Sequence, residues 1–277
     1  MIPVMAVQTP IESKGMGSDL KARIGSGVVL AAIGLAAVHA GGWWFVALAV
    51  VLALLLVFEW NRITDRAGMV PMMALHSVFV ATALLAGALG EFRIALMLIA
   101  VGAATSFAFA ALTARNRLWP LLAVPYFALP CLAIVWLRFD ASAGAALVYW
   151  LLASIWATDT GAYAVGRTVG GPKLSPRISP KKTWSGLIGG IVAAVLVGGV
   201  TAWSVGLASP VAAAAISGLI AVWSQVGDLC ESAVKRHFGV KDSSRLIPGH
   251  GGFLDRLDGL LFAAPLAAAA VLLGAVS

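Results

Sequence analysis

Residues 185–206 read SGLIGGIVAAVLVGGVTAWSVG and contain no charged side chain. An α-helix needs about 20 predominantly apolar residues to cross the hydrocarbon core of a bilayer, so this stretch predicts a transmembrane helix. Apolar runs of similar length, bounded by charged residues or by Gly and Pro, recur along the chain. They lie at 24–40, 43–60, 71–89, 93–113, 118–138, 143–165, 210–235 and 258–276.

The composition of the whole chain is that of a membrane protein. Of its 277 residues, 61% are hydrophobic and 11% are charged, and the mean hydropathy is +0.96. Soluble domains average about 45–50% apolar and about 25% charged residues, and a compact soluble fold could not hide this much apolar surface. The composition argues against a soluble enzyme, a disordered chain and a coiled coil. We expect an all-α polytopic integral membrane protein with about nine transmembrane helices.

The basic residues predict how these helices are oriented. The chain has 19 Lys and Arg against 12 Asp and Glu, a net charge of +7. With nine spans, every Lys and Arg except Arg93 and Arg138 falls on one side, and cytoplasmic loops carry such an excess. We therefore predict a cytoplasmic N-terminus, a C-terminus outside, and a polar cytoplasmic tail at 1–23 rather than a signal peptide. The basic excess indicates orientation in lipid and not a nucleic-acid partner.

Polar residues divide the chain into two regions. Residues 24–140 are bland apolar helices, which we interpret as a scaffold that either shapes a lipid cavity or forms a dimer face. Residues 141–277 form the predicted catalytic region, with long cytoplasmic loops at 166–184 and 236–257. Most of the remaining polar chemistry lies in these two loops and beside them.

Five carboxylates persist beside the apolar runs of the second region: Asp159, Asp228, Glu231, Asp255 and Asp258. A carboxylate at the bilayer centre costs about 2.5–3.5 kcal/mol, so each needs a reason. All five fall at the predicted cytoplasmic end of the bundle, among many cations. Such a cluster predicts a Mg²⁺ site that handles phosphates. Structural pairing with Arg, or a favourable place at a helix N-terminus, remains an alternative for Asp258.

Both long loops have the composition of a phosphate-binding surface. Residues 166–184 combine glycines, whose backbone amides can approach a phosphate, with basic side chains that neutralise it. A positive loop that touches lipid headgroups is the alternative. In 236–257, Gly251 and Gly252 precede a helix, where anions bind well, and His250 could serve as a phosphate ligand or proton donor, or be simply solvated.

The order of residues in these regions resembles the signature of the phosphatidate cytidylyltransferase (CDP-diacylglycerol synthase) family. The main block has SAVKR at 232–236, Lys241-Asp242, and PGHGGFLDRLD at 248–258. Further blocks are DTGAY at 159–163, KLSP at 173–176, SPKKTW at 179–184 and QVGDL at 225–229. The resemblance covers roughly 143–277, whereas the N-terminal half matches only in being helical. Ser185 departs from the pattern, where a Glu or Gln is expected.

The resemblance implies a reaction in which phosphatidate and CTP give CDP-diacylglycerol and pyrophosphate, with Mg²⁺ as the cofactor. Two metal positions are expected, with the identity of the second ion open, and Asp228, Asp255 and Asp159 are the predicted ligands. The predicted catalytic residues are Asp228, Asp255, Lys235, Arg236, Asp258 and His250. The predicted substrate-binding residues are Ser179, Lys181, Lys182, Thr183, Lys173, Tyr163, Ser232, Lys241, Arg256, Gly251 and Gly252.

The resemblance also implies a homodimer, and we expect a bacterial inner-membrane protein with its active site at the cytoplasmic face, in contact with membrane lipids. Two other functions stay open. A CDP-alcohol phosphotransferase is also helical and Mg²⁺-dependent, but its D-G-x-x-A-R opening is absent. An ion-coupled transporter usually places its carboxylates near the midplane and in paired repeats, whereas these crowd one end.

Overall fold

The computed structural model describes residues 16–65, 69–113, 116–139, 143–247 and 249–277, with side chains from Gly25 onward. Arg66, Arg115 and Pro248, which entered the sequence predictions, lie outside the described residues, as does the segment 1–15 of the predicted tail. Within the described ranges the structure has nine helices and one small sheet. The helices are α1 (Met16–Ala40), α2 (Gly42–Thr64), α3 (Met69–Ala88), α4 (Phe92–Leu112), α5 (Leu118–Phe139), α6 (Gly144–Thr168), α7 (Trp184–Ser204), α8 (Pro210–His237) and α9 (Leu254–Leu272).

The prediction of an all-α membrane protein is confirmed. Each predicted apolar run coincides with one helix, and six helices are long and apolar enough to cross a membrane, namely α2, α3, α4, α5, α7 and α8. In α1 the apolar part is the shorter segment Gly25–Ala40, and α9 carries Asp255, Arg256 and Asp258 near its start. The count of nine spans and the sides of the two termini stay predictions.

Several helix boundaries differ from the sequence predictions, among them the end of α2, which lies at Thr64 instead of 60. Helix α1 begins at Met16 and so includes part of the predicted tail. Helix α6 runs to Thr168, beyond the predicted end at 165, and α9 begins at Leu254 instead of 258 and ends at Leu272 instead of 276. No Pro interrupts these extensions, so nothing in the backbone stops the helix where the apolar run stops.

The predicted loop 166–184 contains a β-hairpin that the sequence did not indicate. Strands β1 (Lys173–Ser175) and β2 (Ser179–Thr183) pair antiparallel, with Lys173 opposite Thr183 and Ser175 opposite Ser179. Gly170 and Gly171 precede the hairpin with φ of 67° and 106°, a conformation that glycine adopts without strain. The hairpin ends directly at the first residue of α7, so its basic residues are held beside that helix.

Small residues let α6, α7, α8 and α9 pack closely. A Cβ on Gly186 would lie 2.9 Å from the carbonyl oxygen of Ala162, and one on Gly161 would lie 2.8 Å from that of Gly189. A Cβ on Gly227 of α8 would lie 2.6 Å from the carbonyl oxygen of Asp258 in α9. Membrane helices associate through such small-residue contacts, and here they bring the polar ends of α6, α8 and α9 together.

Helix α5 joins the two regions of the chain. Half of its apolar segment is buried, and it packs against α2, α3, α4, α6 and α9. At its N-terminal end, Trp119 lies 5.9 Å from the ring of Trp60 in α2 and 5.2 Å from the ring of His237 in α8. The C-terminal end of α2 is therefore fixed beside the C-terminal end of α8.

Candidate functional site

The hairpin contributes a lysine to the carboxylates of α8. Lys182 Nζ lies 2.6 Å from Asp228 Oδ2, and the two side chains are 17% and 33% exposed. The next residue, Thr183, is buried and accepts a hydrogen bond from the Gly186 amide at 3.1 Å, as an N-cap residue does. This cap fixes the end of β2 on α7, and the packing of α7 against α8 then places Lys182 beside Asp228. The predicted substrate ligand Lys182 and the predicted metal ligand Asp228 are thus neighbours.

Lys235 lies between two buried carboxylates. Its Nζ is 2.7 Å from Glu231 Oε2 and 2.5 Å from Asp255 Oδ1. The three side chains are at most 11% exposed. Removing charges from water is costly unless they are paired, so this triad fixes the start of α9 against the last turns of α8.

Asp255 is also held by the segment that precedes it. Its Oδ2 accepts hydrogen bonds from the Ser243 amide at 3.0 Å, the Ser243 hydroxyl at 2.9 Å and the Gly252 amide at 2.8 Å. A Cβ on Gly251, which has φ of 84°, would lie 2.7 Å from the same oxygen. In this structure Gly251, predicted to bind substrate, makes room for Asp255. Gly252, also predicted to bind substrate, holds Asp255 through its amide.

Asp258 and Asp159 complete the carboxylate cluster. Asp258 lies close enough to interact electrostatically with Asp228, Glu231 and Asp159. Asp159 interacts in the same way with Asp228 and is partly compensated by Lys182 and Arg256. The five carboxylates singled out by the sequence are thus gathered at one end of the bundle, as predicted, from three different helices.

Other predicted residues lie at the edge of this cluster. Ser232 donates to Asp228 Oδ1 at 3.3 Å. His250 is 2.7 Å from the Ser26 hydroxyl through Nδ1, and its carbonyl oxygen accepts two bonds from Arg256. The imidazole therefore contacts α1 in this structure.

The remaining predicted residues face outward. Tyr163 is exposed and accepts a hydrogen bond from Arg167 at 2.6 Å, while Arg236 donates to the Val240 carbonyl at 3.0 Å. Ser179 is half-buried on β2. Three predicted substrate ligands are exposed, namely Lys173 and Lys181 on the hairpin and Lys241 in the second loop. These cations are free to meet a ligand that arrives from water.

One buried carboxylate was missed by the sequence predictions. Glu59, near the C-terminal end of α2, is fully buried and accepts hydrogen bonds from Ser243, Ser244, Phe253 and Leu254. The signal was present, because an acidic residue within an apolar span is costly and calls for a partner. The run 43–60 was treated as uniformly apolar, so this residue was passed over.

The donors of the site are of the chemical kind that Mg²⁺ takes, but among the described residues their side chains are not arranged around a metal position. Carboxylate oxygens are the ligands that Mg²⁺ prefers, and Glu231 Oε1 is buried without a hydrogen-bond donor among the described residues. Asp255 Oδ1 contacts only Lys235, among the bonds described, and so keeps an acceptor position. In the arrangement seen here, no group of three or more His, Cys, Asp and Glu side chains in the described ranges could hold a metal ion.

Comparison with known proteins extends the resemblance to almost the whole chain. The model of the "Cytidylyltransferase family" matches residues 21–273. A phosphatidate cytidylyltransferase of Brucella suis is 39% identical over 258 residues, which cover 90% of this chain and 92% of the relative. That of Bacillus subtilis is 45% identical over 123 residues, or 44% of this chain and 46% of the relative.

These matches confirm the family predicted from 143–277 and correct its extent, because they include the N-terminal helices that seemed to match only in being helical. The chain therefore belongs to the cytidylyltransferase family and is a nucleotidyltransferase enzyme.

Proposed function

We propose that this enzyme transfers CMP from CTP to phosphatidate, giving CDP-diacylglycerol and pyrophosphate for phospholipid biosynthesis. The proposal rests on the two ionic groups that α8 forms with its neighbours. Lys182 of the basic hairpin pairs with Asp228, and Asp255 of α9 joins Glu231 and Lys235. Carboxylates for a metal and cations for phosphates are the parts that phosphoryl transfer needs. The names of the relatives support CTP and phosphatidate as the substrates.

The reaction is an in-line displacement at the α-phosphorus of CTP. A phosphate oxygen of phosphatidate forms the new P–O bond, the bond to the β-phosphate oxygen breaks, and pyrophosphate leaves with the electron pair. Charge on the phosphoryl oxygens is stabilised by fixed cations. The hairpin carries three lysines that are suited to bind the phosphates: Lys173, Lys181 and Lys182. Lys235 pairs with the carboxylates of Glu231 and Asp255.

Asp228, Asp255 and Asp159 are the residues that would hold Mg²⁺. The metal would neutralise phosphate oxygens and orient the leaving group. Lys182 and Lys235, which pair with Asp228 and Asp255 in this structure, orient these carboxylates before the metal and CTP bind. We include a second metal position of open identity, as the family resemblance implies, and on the same ground a homodimer.

The site lies where a lipid and a water-soluble nucleotide can meet. We place it at the cytoplasmic face of a bacterial inner membrane. The distribution of Lys and Arg supports this face, and the relatives are bacterial proteins. The apolar helices hold the acyl chains of the substrate near the polar end of the bundle.

The test is an assay of purified protein in detergent micelles with phosphatidate, labelled CTP and Mg²⁺. We expect CDP-diacylglycerol and pyrophosphate in equal amounts, and no lipid product when EDTA is present or when diacylglycerol replaces phosphatidate. CMP transfer only to another phosphorylated lipid would overturn the acceptor assignment. Conversion of CDP-diacylglycerol and a free alcohol, without use of CTP, would favour the CDP-alcohol phosphotransferase alternative.

A further inference from the structure

Glu59 is a charged residue of the N-terminal half that reaches the catalytic end of the C-terminal half. It lies on α2, its side chain is fully buried, and the residues it binds are 184 to 195 positions away in the chain. No ion pair with Lys, Arg or His is found for it among the described residues. The hydrogen bonds described for it come from amides and hydroxyls of the segment between α8 and α9 and from the first amide of α9.

Four donors surround the carboxylate of Glu59. Oε1 accepts from the Ser244 hydroxyl at 2.6 Å and the Phe253 amide at 2.9 Å. Oε2 accepts from the Leu254 amide at 2.7 Å and the Ser243 hydroxyl at 2.9 Å. Since an ionised carboxylate has about four acceptor positions, Glu59 is fully used by the protein and leaves no room for a ligand.

These bonds cap helix α9 from outside its own sequence. The first amides of a helix lack partners within the helix, and Phe253 at the N-cap offers no side-chain bond to them. Glu59 supplies the missing acceptor, and its negative charge is favoured at a helix N-terminus. The orientation of the first turn of α9 therefore depends on a residue of α2.

The capped turn is the one that carries Asp255. The Ser243 hydroxyl lies 2.9 Å from both Glu59 Oε2 and Asp255 Oδ2, and its single proton is shared between the two carboxylates. Gly252 donates its amide to Asp255 at 2.8 Å, and a Cβ there would lie within 2.6 Å of both Glu59 oxygens. Glu59 and Asp255 thus both accept hydrogen bonds from the short segment that precedes α9.

We propose that Glu59 is a positioning residue for cytidylyl transfer: it holds residues 243–254 so that Asp255 is presented to Lys235 and to the reacting phosphates. The proposal rests on the function proposed above. It gives the N-terminal helices a direct part in the active site, through one side chain. It also explains why Gly252 has to be glycine, because a side chain at 252 would displace the carboxylate of Glu59.

The experiment compares Glu59→Gln with two control variants. Glutamine keeps the shape of the side chain but turns one acceptor into a donor, which then faces two donors. Glu91→Gln is the same chemical change at an exposed position. Asn61→Ala removes a buried polar group that bonds Val57 and His76 in the same part of α2, without contacting the 243–254 segment in the bonds described.

Three readouts separate positioning from plain stability. We expect Glu59→Gln to lower kcat by about 10–100-fold, as is usual when a partner of a ligand is removed, with a smaller change in KM for CTP. Hydrogen–deuterium exchange should rise in peptides covering 243–256 while α3 and α4 stay protected. The rise in Tm that Mg²⁺ and CTP cause without lipid should shrink. Both controls should keep kcat within about twofold of wild type.

A purely structural role predicts another pattern: exchange rises in all helices, and kcat per folded molecule stays at the wild-type value. That result overturns the proposal, as does a folded Glu59→Gln protein with kcat within about twofold of wild type. If Glu59→Gln does not fold, Ser244→Ala removes a single one of the four donors and should give the same local exchange with a smaller loss of kcat. An inactive wild-type protein would refute the proposed function, whereas the exchange experiment would still decide the role of Glu59.

Discussion

Helices α1–α5 and α6–α9 use buried polar groups in different ways. In α6–α9 and their loops, buried polar residues form ionic and hydroxyl networks that include Glu231, Lys235, Ser243 and Ser244. In α1–α5 the described buried polar residues are few, and three of them lie on α2 and α3. The contrast agrees with the interpretation of the first region as an apolar scaffold, and Glu59 is the residue through which we propose that it acts on the catalytic region.

The largest difference in kcat is expected between variants that neutralise one acidic residue of each region. Asp228→Asn should lower kcat by about 10²–10³-fold, the usual loss when a group that stabilises transition-state charge is removed. Glu91→Gln, an exposed residue of the first region, should change kcat less than twofold. The assay is the initial rate of CDP-diacylglycerol formation. An Asp228→Asn protein within tenfold of wild type would exclude Asp228 as a metal ligand.

The second prediction concerns the stability of the triad on α8 and α9. Lys235→Met leaves Glu231 and Asp255 buried without their cation, which typically costs about 3–5 kcal/mol. The double variant Glu231→Gln, Lys235→Met should recover part of this loss, because one unpaired charge is gone. Thermal unfolding in detergent measures both, with exposed Lys241→Met as the control. Equal Tm values for the two Lys→Met variants would contradict the buried triad.

The sequence predicted the helices well because each apolar run is long enough to specify one. It could not predict the hairpin at 173–183, since the cross-strand pairing of Lys173 with Thr183 lies in a stretch that reads as a basic loop. The helix ends also shifted, because an α-helix continues past its apolar segment wherever no Pro or unfavourable turn stops it.

Residues of the site could be grouped from the sequence where they belong to one short block. Asp255 and Lys235 both belong to the block at 232–258, and the structure joins them. The pair Lys182–Asp228 could not be derived, because it depends on how the hairpin packs on α8. Glu59 could have been noticed as an acidic residue in an apolar run, but its partners could not be derived, because they are nearly two hundred positions away in the chain.

The third prediction compares a glycine of each region. Gly252→Ala places a methyl group against Glu59 and Ser243, and such overpacking costs about 1–3 kcal/mol. We also expect at least a tenfold loss of kcat, because Asp255 must shift. Gly34 in α1 has open space around it, so Gly34→Ala should stabilise the helix by about 0.5–1 kcal/mol. Tm and initial rate measure both effects, and an active, stable Gly252→Ala protein would contradict the tight fit.

The smallest effect is expected at the opposite end of α5, where the two regions also touch. Arg138 Nε donates to the Val38 carbonyl of α1 at 2.9 Å, far from Trp119 and the ionic groups. Arg138→Gln should cost about 1 kcal/mol, the usual worth of one hydrogen bond, and should leave kcat and KM unchanged. A loss of activity without a loss of Tm would show that the first region influences the reaction through this end of the bundle as well. An unchanged rate is the expected result if that influence runs through the C-terminal end of α2, where Glu59 meets α9.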